Sequence, residues 1–221
     1  MFRSRVVVTA LVALVPALVG PARSDAQTPP PPLMPIALAG DADRGLVLAQ
    51  TCAGCHGIPG AFNANPVYHV PKLGGQNADY IEVALLGYRR GTRGHVTMQA
   101  QASSLTDQDI ADVAAYFAGI EGEPDAGRMS ASAAQIEAGR EKAATCVACH
   151  GAEGVAGAPQ WPNLAGQHES YLIESLEQYK NGNRVDLVMN PLIAPLDDAS
   201  LEELAAFFSA QAHLHNTDNT D

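Results

Sequence analysis

The sequence of 221 residues predicts an all-α protein made of two tandem domains that share one fold. The first observation is an internal repeat, in which residues recur 94 positions later at the start of each half and 91 positions later beyond it. The second is apolar periodicity at i, i+4 and i+7, which indicates amphipathic helices, with no convincing alternation of the kind expected in a strand. We predict domains over residues 40–122 and 129–212, joined by a linker over 123–128.

Residues 1–26 have the features of a secretory signal peptide. Arg3 and Arg5 form a basic start, and an apolar stretch of 14 residues follows over 6–19. This stretch is short for a membrane span, which needs about 20 residues, although an uncleaved anchor is the alternative interpretation. We therefore expect export from the cytoplasm, and an extended Pro-rich leader over 27–39 after the signal.

Each domain is predicted to begin with a helix that runs into a C-x-x-C-H segment, at residues 52–56 and 146–150. This pattern is typical of covalent attachment of c-type haem. The alternatives are a redox disulfide, which is expected in a βαβ pattern that is not found, and a zinc site, whose cysteine pairs are roughly 15–20 residues apart rather than 94. The sequence predicts two haems, attached through Cys52, Cys55, Cys146 and Cys149, with His56 and His150 as iron ligands.

Two further amphipathic helices are predicted in each domain. In the first domain, Ile81, Leu85 and Tyr88 share one face of a helix that Gly91 would end. The last helix is expected to begin near Thr106, and the long segments between helices are expected to wrap a cofactor. Equivalent apolar faces recur in the second domain at Leu172, Leu176 and Tyr179 and at Leu201, Leu204, Ala205 and Phe208.

A second axial ligand decides whether each iron is closed or open. Met98 and Met189 occupy equivalent positions of the repeat, in a predicted polar loop rather than on a helical stripe, which favours iron ligation over core packing. His95 is a rival in the first domain, but its counterpart is Asp186, so the repeat does not support it. Ligation by a thioether suits electron transfer, because it fills the sixth position and raises the reduction potential.

Four further residues are candidates for positions around the haems. The backbone carbonyls of Pro71 and Pro162 are expected to accept the second ring N–H of the proximal histidines. Arg93 and Arg184 share a Gly-x-Arg setting shortly before the methionines. They are expected either to pair with haem propionates or to be solvated surface arginines.

The other histidines are predicted to have no role at the irons. His69 and His168 are expected on the surface, and His213 and His215 lie in a polar segment that predicts a flexible tail over 213–221.

The charge balance excludes some classes of partner. The formal net charge is −11, and removal of residues 1–26 would take away three arginines and one aspartate, which gives −13. Such a surface argues against nucleic acid and against anionic membranes as partners. Only 5% of the residues are aromatic, which is a thin supply for two cores unless a haem completes each of them.

The two C-x-x-C-H segments, the Pro-x-Leu-x-Gly segments, the late methionines and the stretch LTDQDIADVAAYF at 105–117 resemble class I cytochrome c. The tandem arrangement over 40–210 resembles the dihaem cytochrome c-four family. This resemblance implies an all-helical cytochrome c domain in each half, His and Met ligation of each iron, and haems that face each other with propionates near the domain interface. An insertion with Tyr68 and His69 in the first half departs from the repeat and leaves the surroundings of the first haem open.

The resemblance implies single-electron transfer in the periplasm, towards a terminal oxidase or from a dehydrogenase, by a soluble or peripherally membrane-associated protein. The leading hypothesis is a dihaem carrier that is not an enzyme. The first alternative is a cytochrome subunit of a dehydrogenase complex. The second is a dihaem enzyme, such as a peroxidase or a sulfur-compound dehydrogenase, which would need an open iron or a thiolate ligand, and no spare cysteine exists.

Overall fold

The computed structural model describes residues 31–124, 126–127 and 129–217, and the chain from Pro32 onward forms one compact unit. The predicted signal peptide, the start of the leader and the last four residues lie outside the described part. No helix in the described ranges is long and apolar enough to cross a membrane.

The described residues are mainly helical, which confirms the predicted fold class. The first half contains α1 (Ala42–Leu48), α2 (Gln50–His56), α3 (Ala78–Arg90), α4 (Val96–Ser103) and α5 (Asp107–Gly119), with strands β1 (Phe62–Ala64) and β2 (Val67–His69) between α2 and α3. The second half contains α6 (Ala133–Lys142), a short 3₁₀ turn (Ala143–Thr145), α7 (Val147–His150), α8 (Glu169–Asn181), α9 (Met189–Ile193) and α10 (Asp198–Ser209).

The first and last helices of each half cross at a glycine. A Cβ atom on Gly45 of α1 would lie 2.1 Å from the carbonyl oxygen of Asp112 in α5. In the second half, a Cβ atom on Gly139 of α6 would lie 1.9 Å from the carbonyl oxygen of Glu203 in α10. Only a residue without a side chain lets the two backbones approach this closely. Both crossings hold the helix that precedes a C-x-x-C-H segment against the last helix of its own half.

Helix ends follow the local signals of the sequence. Thr106 at the start of α5 and Ser132 at the start of α6 each form a capping box with the third residue of the helix. Gly91 and Gly182 end α3 and α8 in the left-handed conformation, with φ of +73° and +81°. The helix stop predicted at Gly91 is therefore confirmed, and Gly182 ends α8 in the same way.

The predicted apolar faces form the two cores. In the first half, the buried side chains include Ile81, Leu85 and Tyr88 of α3 and Ile110, Val113, Ala114 and Phe117 of α5. In the second half, they include Leu172 and Tyr179 of α8 and Leu201, Leu204, Ala205 and Phe208 of α10.

The inserted segment is a β-hairpin, so the expectation that the chain has no strand is wrong here. Strands β1 and β2 pair antiparallel, and Tyr68 of β2 is 5% exposed. The backbone N–H of His69 donates to Ser170 Oγ at 3.0 Å, and the ring of Tyr68 lies 6.2 Å from that of Tyr171. The insertion therefore packs against α8 of the second half.

The histidines predicted to lie on the surface are less accessible than expected. His168 is 2% exposed, and its ring centroid lies 4.9 Å from that of the half-buried His69. The burial follows from contact between the two halves, to which residues distant in sequence contribute.

The structure also differs from the predicted flexible tail at residues 213–217. Leu214 is fully buried, and the backbone of His215 pairs with the first half in an antiparallel bridge. The Thr217 hydroxyl donates to the carbonyl oxygen of His56 at 3.1 Å. This segment therefore ties the end of the second half to the haem motif of the first.

We expect Leu214→Ala to lower the free energy of unfolding by about 2–5 kcal/mol, because it opens a cavity in packed surroundings. The matched control is Leu46→Ala on α1, where the leucine is 41% exposed. Guanidinium denaturation monitored by circular dichroism measures both changes. If both substitutions had an equal, small effect, Leu214 would not be packed, and the prediction of a flexible tail would stand.

Candidate haem sites

Both C-x-x-C-H histidines have one ring nitrogen engaged by a backbone carbonyl. His56 Nδ1 lies 2.9 Å from the carbonyl oxygen of Pro71, and His150 Nδ1 lies 3.0 Å from that of Pro162. A carbonyl oxygen only accepts, so Nδ1 of each neutral ring carries the proton and Nε2 carries a free lone pair. Burial lowers the pKa of both histidines against the opposing effect of the carbonyl bond, which favours this neutral form. Neutral imidazole with an oriented second nitrogen is the form that binds a metal.

The four cysteines lie one helical turn apart within each pair, and none of them forms a disulfide. Cys52 packs against the first core and Cys146 against the second, whereas Cys55 is exposed. Burial raises the pKa of the thiols of Cys52 and Cys146. Unpaired thiols three residues apart, the first of each pair against a core, suit attachment at two points of one flat group.

Met98 and Met189 have equivalent local settings, and both lie on short helices, α4 and α9, so the prediction of a loop at these positions is wrong. His95 Nδ1 accepts the backbone N–H of Met98 at 3.2 Å, as the N-cap of α4. Asp186, the counterpart of His95, accepts the backbone N–H of Met189 at 2.8 Å. Both methionines are half-buried against a core. His95 and Asp186 therefore accept the same backbone N–H in the two halves.

Arg93 and Arg184 lie side by side at the contact between the two halves. Their segments pair, with Gly94 N–H donating to Asn183 O at 2.7 Å and Val185 N–H donating to Thr92 O at 2.8 Å. The two arginines are 6% and 9% exposed, so the alternative of solvated surface side chains is wrong.

A cluster of tyrosines surrounds the two guanidinium groups. Arg93 donates to Tyr80 Oη at 3.3 Å and to Tyr171 Oη at 2.5 Å, and Arg184 donates to Tyr80 Oη at 2.9 Å. Each guanidinium also stacks on a tyrosine of its own half, Arg93 over Tyr88 at 4.5 Å and Arg184 over Tyr179 at 4.4 Å.

The arginine cluster has no carboxylate partner among the described residues. Among the described residues, no carboxylate lies within 4 Å of either guanidinium, and the buried Arg93 Nε has no hydrogen-bond partner. Burial raises the pKa of Tyr80, but the charges of Arg184 and Arg93 outweigh it and lower that pKa to about 7. Two buried cations with an orphaned donor would suit carboxylates such as the propionates of a haem.

The sites therefore fit two haems on the chemistry of their own residues. Thiols for attachment, a free imidazole nitrogen and a half-buried thioether occur in each half, and guanidiniums for propionates lie between the halves. Sequence reasoning missed four residues here, the buried Gln76 and Gln167 and the half-buried Tyr80 and Tyr171. The signal that was present for them is the repeat, because each pair recurs at an offset of 91.

Comparison with known proteins gives the class that this geometry indicates. A family model described as cytochrome c matches residues 42–121 and again residues 136–209, so the protein consists of two cytochrome c domains. Each domain carries its own C-x-x-C-H cysteines, so the protein binds two c-type haems.

The relatives narrow the class. Cytochrome c4 of Pseudomonas aeruginosa is 31% identical over 76% of this chain and 88% of its own length. A protein of Stutzerimonas stutzeri named thiosulfate dehydrogenase electron acceptor is 30% identical over 73% of this chain and 79% of its own length. The crystal structure of reduced recombinant cytochrome c4 from Pseudomonas stutzeri superposes with a TM-score of 0.67 at 28% identity, over 78% of this chain and all of that chain. The chain belongs to the cytochrome c4 family of dihaem electron carriers.

Proposed function

We propose that this protein is a periplasmic carrier that moves single electrons between a dehydrogenase and a terminal acceptor, with both irons closed by protein ligands. A bound c-type haem supplies one-electron chemistry through the ferric and ferrous states of its iron. The chain supplies the ligands, His56 with Met98 in the first domain and His150 with Met189 in the second.

The observation that carries this proposal is the equivalence of the two ligand settings. Each histidine donates its Nδ1 proton to a proline carbonyl at 2.9–3.0 Å, and the backbone N–H of each methionine donates to the side chain three residues before it. A catalytic dihaem protein needs one iron that differs from the other by an open or unusual ligand position. All four cysteines belong to the attachment motifs, which leaves no thiolate for such a role.

The surface supports brief encounters with partners. Val96 and Leu187 occupy equivalent positions two residues before the methionines and are 86% and 51% exposed. Small apolar areas in a charged surface are typical of transient redox contacts. The formal net charge of −11 favours partners with a basic docking face.

Exposure of the reduced protein to carbon monoxide tests the closed irons. We expect two haems per chain by the pyridine haemochrome assay and no prompt carbon monoxide complex at either of them, because a bound thioether blocks the sixth position. Prompt binding at one of the two haems would contradict the carrier and favour the enzyme alternative.

A second candidate is a more specific role as the electron acceptor of a thiosulfate dehydrogenase. It is supported by the relative of that name, which is 30% identical over 73% of this chain. Stopped-flow mixing of the oxidised protein with a thiosulfate dehydrogenase and thiosulfate measures the rate of haem reduction. A rate no higher than with thiosulfate alone would contradict this role.

Co-purification of a flavin or quinone dehydrogenase with the protein would instead favour a permanent subunit of a dehydrogenase complex.

A further inference from the structure

Two segments of identical pattern meet at the contact between the domains. Residues 71–76 and 162–167 both read Pro-x-Leu-x-Gly-Gln. In each, the glycine has a φ of +76°, and the N–H of the glutamine closes a tight turn on the carbonyl of the leucine at 3.1 Å. Each turn presents its glutamine side chain to the other domain.

Each glutamine makes two hydrogen bonds to the backbone of one residue in the opposite segment. Gln167 Oε1 accepts the N–H of Lys72 at 3.0 Å, and Gln167 Nε2 donates to the carbonyl of Lys72 at 3.1 Å. Gln76 Oε1 accepts the N–H of Asn163 at 2.8 Å, and Gln76 Nε2 donates to the carbonyl of Asn163 at 3.0 Å. All four residues are at most 4% exposed, so water does not compete for these bonds.

The glutamines reach the proximal histidines through a single peptide group. The N–H of Lys72 and the carbonyl of Pro71 belong to the same planar unit, and that carbonyl accepts the proton of His56 Nδ1 at 2.9 Å. The N–H of Asn163 and the carbonyl of Pro162 are related to His150 in the same way. Each ligand histidine is therefore joined by two hydrogen bonds and one peptide group to a glutamine of the other domain.

This connection has a geometric and an electronic effect. A planar peptide held at its N–H cannot rotate its carbonyl away from the imidazole. A peptide whose N–H is bonded is also a stronger acceptor at its oxygen, because hydrogen bonds in a chain polarise one another. A stronger acceptor at Nδ1 makes the imidazole a better donor to the iron, which favours the ferric state.

We propose that Gln76 and Gln167 are positioning residues that tune the reduction potential of the haem in the opposite domain, Gln76 through His150 and Gln167 through His56. The proposal rests on the proposed function, because it requires these histidines to be iron ligands. The glutamines themselves are anchored in their own domain, where each Oε1 also accepts the next backbone N–H, from Asn77 at 3.0 Å and from His168 at 3.1 Å. The reduction potential of each haem thereby depends on whether the other domain is docked.

The experiment uses the full dihaem protein with Gln76→Met and Gln167→Met, which keep the side-chain length and remove both polar atoms. We expect Gln76→Met to shift the reduction equilibrium of the second haem towards the ferrous form by about three- to ten-fold, with little change at the first. Gln167→Met is expected to do the reverse, so each variant is the control for the other. Redox titration gives the two potentials, and nuclear magnetic resonance of histidine labelled with ¹⁵N follows the Nδ1–H signals of His56 and His150 in the reduced state.

The crossed pattern separates tuning from general loosening of the interface. A shift of the haem in the same domain, an equal shift of both haems, or unchanged potentials in a folded variant would each overturn the proposal. If the methionine variants do not fold with haem, Gln76→Asn and Gln167→Asn, which keep the amide on a shorter chain, are measured in the same way. Failure of the proposed function is recognised separately, because the unmodified reduced protein would then bind carbon monoxide promptly at one haem. Absence of the two ligand Nδ1–H signals from the unmodified protein would overturn both proposals.

Discussion

Replacement of Met98 by alanine is expected to open the iron of the first domain and to leave the second domain intact. The ferric protein should lose half of its methionine–iron charge-transfer absorbance, and the affected potential should fall by roughly a tenth of a volt or more, given that axial ligands move haem potentials over about 0.8 V. The reduced variant should bind carbon monoxide at one haem. Met189→Ala should produce the same changes in the second domain.

The matched control for this prediction is Met129→Ala. Met129 is 39% exposed and has no counterpart in the repeat, so its loss should leave the absorbance and both potentials unchanged. Visible and near-infrared spectra, together with redox titration, measure all three variants. If the Met98→Ala protein kept the full charge-transfer band, Met98 would not be an iron ligand.

Gly45→Ala is expected to destabilise the first domain at the crossing of α1 and α5. Its Cβ atom would lie 2.1 Å from the carbonyl oxygen of Asp112 and 2.8 Å from Tyr116 Cβ, and helix backbone cannot move aside as a flexible side chain would. Overpacking in a close-packed core typically costs about 1–3 kcal/mol, and we expect a loss at the upper end of that range. Gly139→Ala should act in the same way on the second domain.

Gly119→Ala provides the control, since a Cβ atom on this helical glycine would meet no atom within 4 Å. It should be neutral or stabilising by up to about 1 kcal/mol, because alanine is the better helix former. Denaturant titration followed through the methionine–iron band measures the effect, and an early transition over half of the band is expected when one domain alone is destabilised. Equal stability of the Gly45→Ala and Gly119→Ala proteins would show that α1 and α5 are not packed at this distance.

Much of the fold could be predicted because its signals are local. The periodic faces of α3 and α5 and the glycine stop after α3 arise from neighbouring residues, and the structure confirms them. The hairpin escaped prediction because its strands are only three residues long, too short for alternation to be recognised. The tail was predicted to be flexible from its polar composition, whereas Leu214 and His215 find their partners far away in sequence.

In the candidate site too, the features with local sequence signals could be predicted and those with distant partners could not. The bonds from His56 and His150 to the carbonyls of Pro71 and Pro162 agree with the sequence-based expectation, since the motifs and the Pro-x-Leu-x-Gly segments are short and repeated. Local sequence could not decide whether Arg93 was buried, because its tyrosine partner Tyr171 belongs to the other domain.

The sequence by itself determined the cofactor chemistry and the duplication, because covalent attachment needs a fixed spacing of two thiols and an imidazole, and a repeat is visible without any structure. Only the tertiary structure decided how the two copies meet. Three features depend on the orientation of one domain against the other: the paired arginine segments, the tyrosines that surround the two arginines, and the hydrogen bonds that Gln76 and Gln167 each make to the other domain. Side-chain patterns within a domain specify which face is buried in its own core, but a contact between buried polar groups about 90 residues apart exists only once both domains are folded and docked.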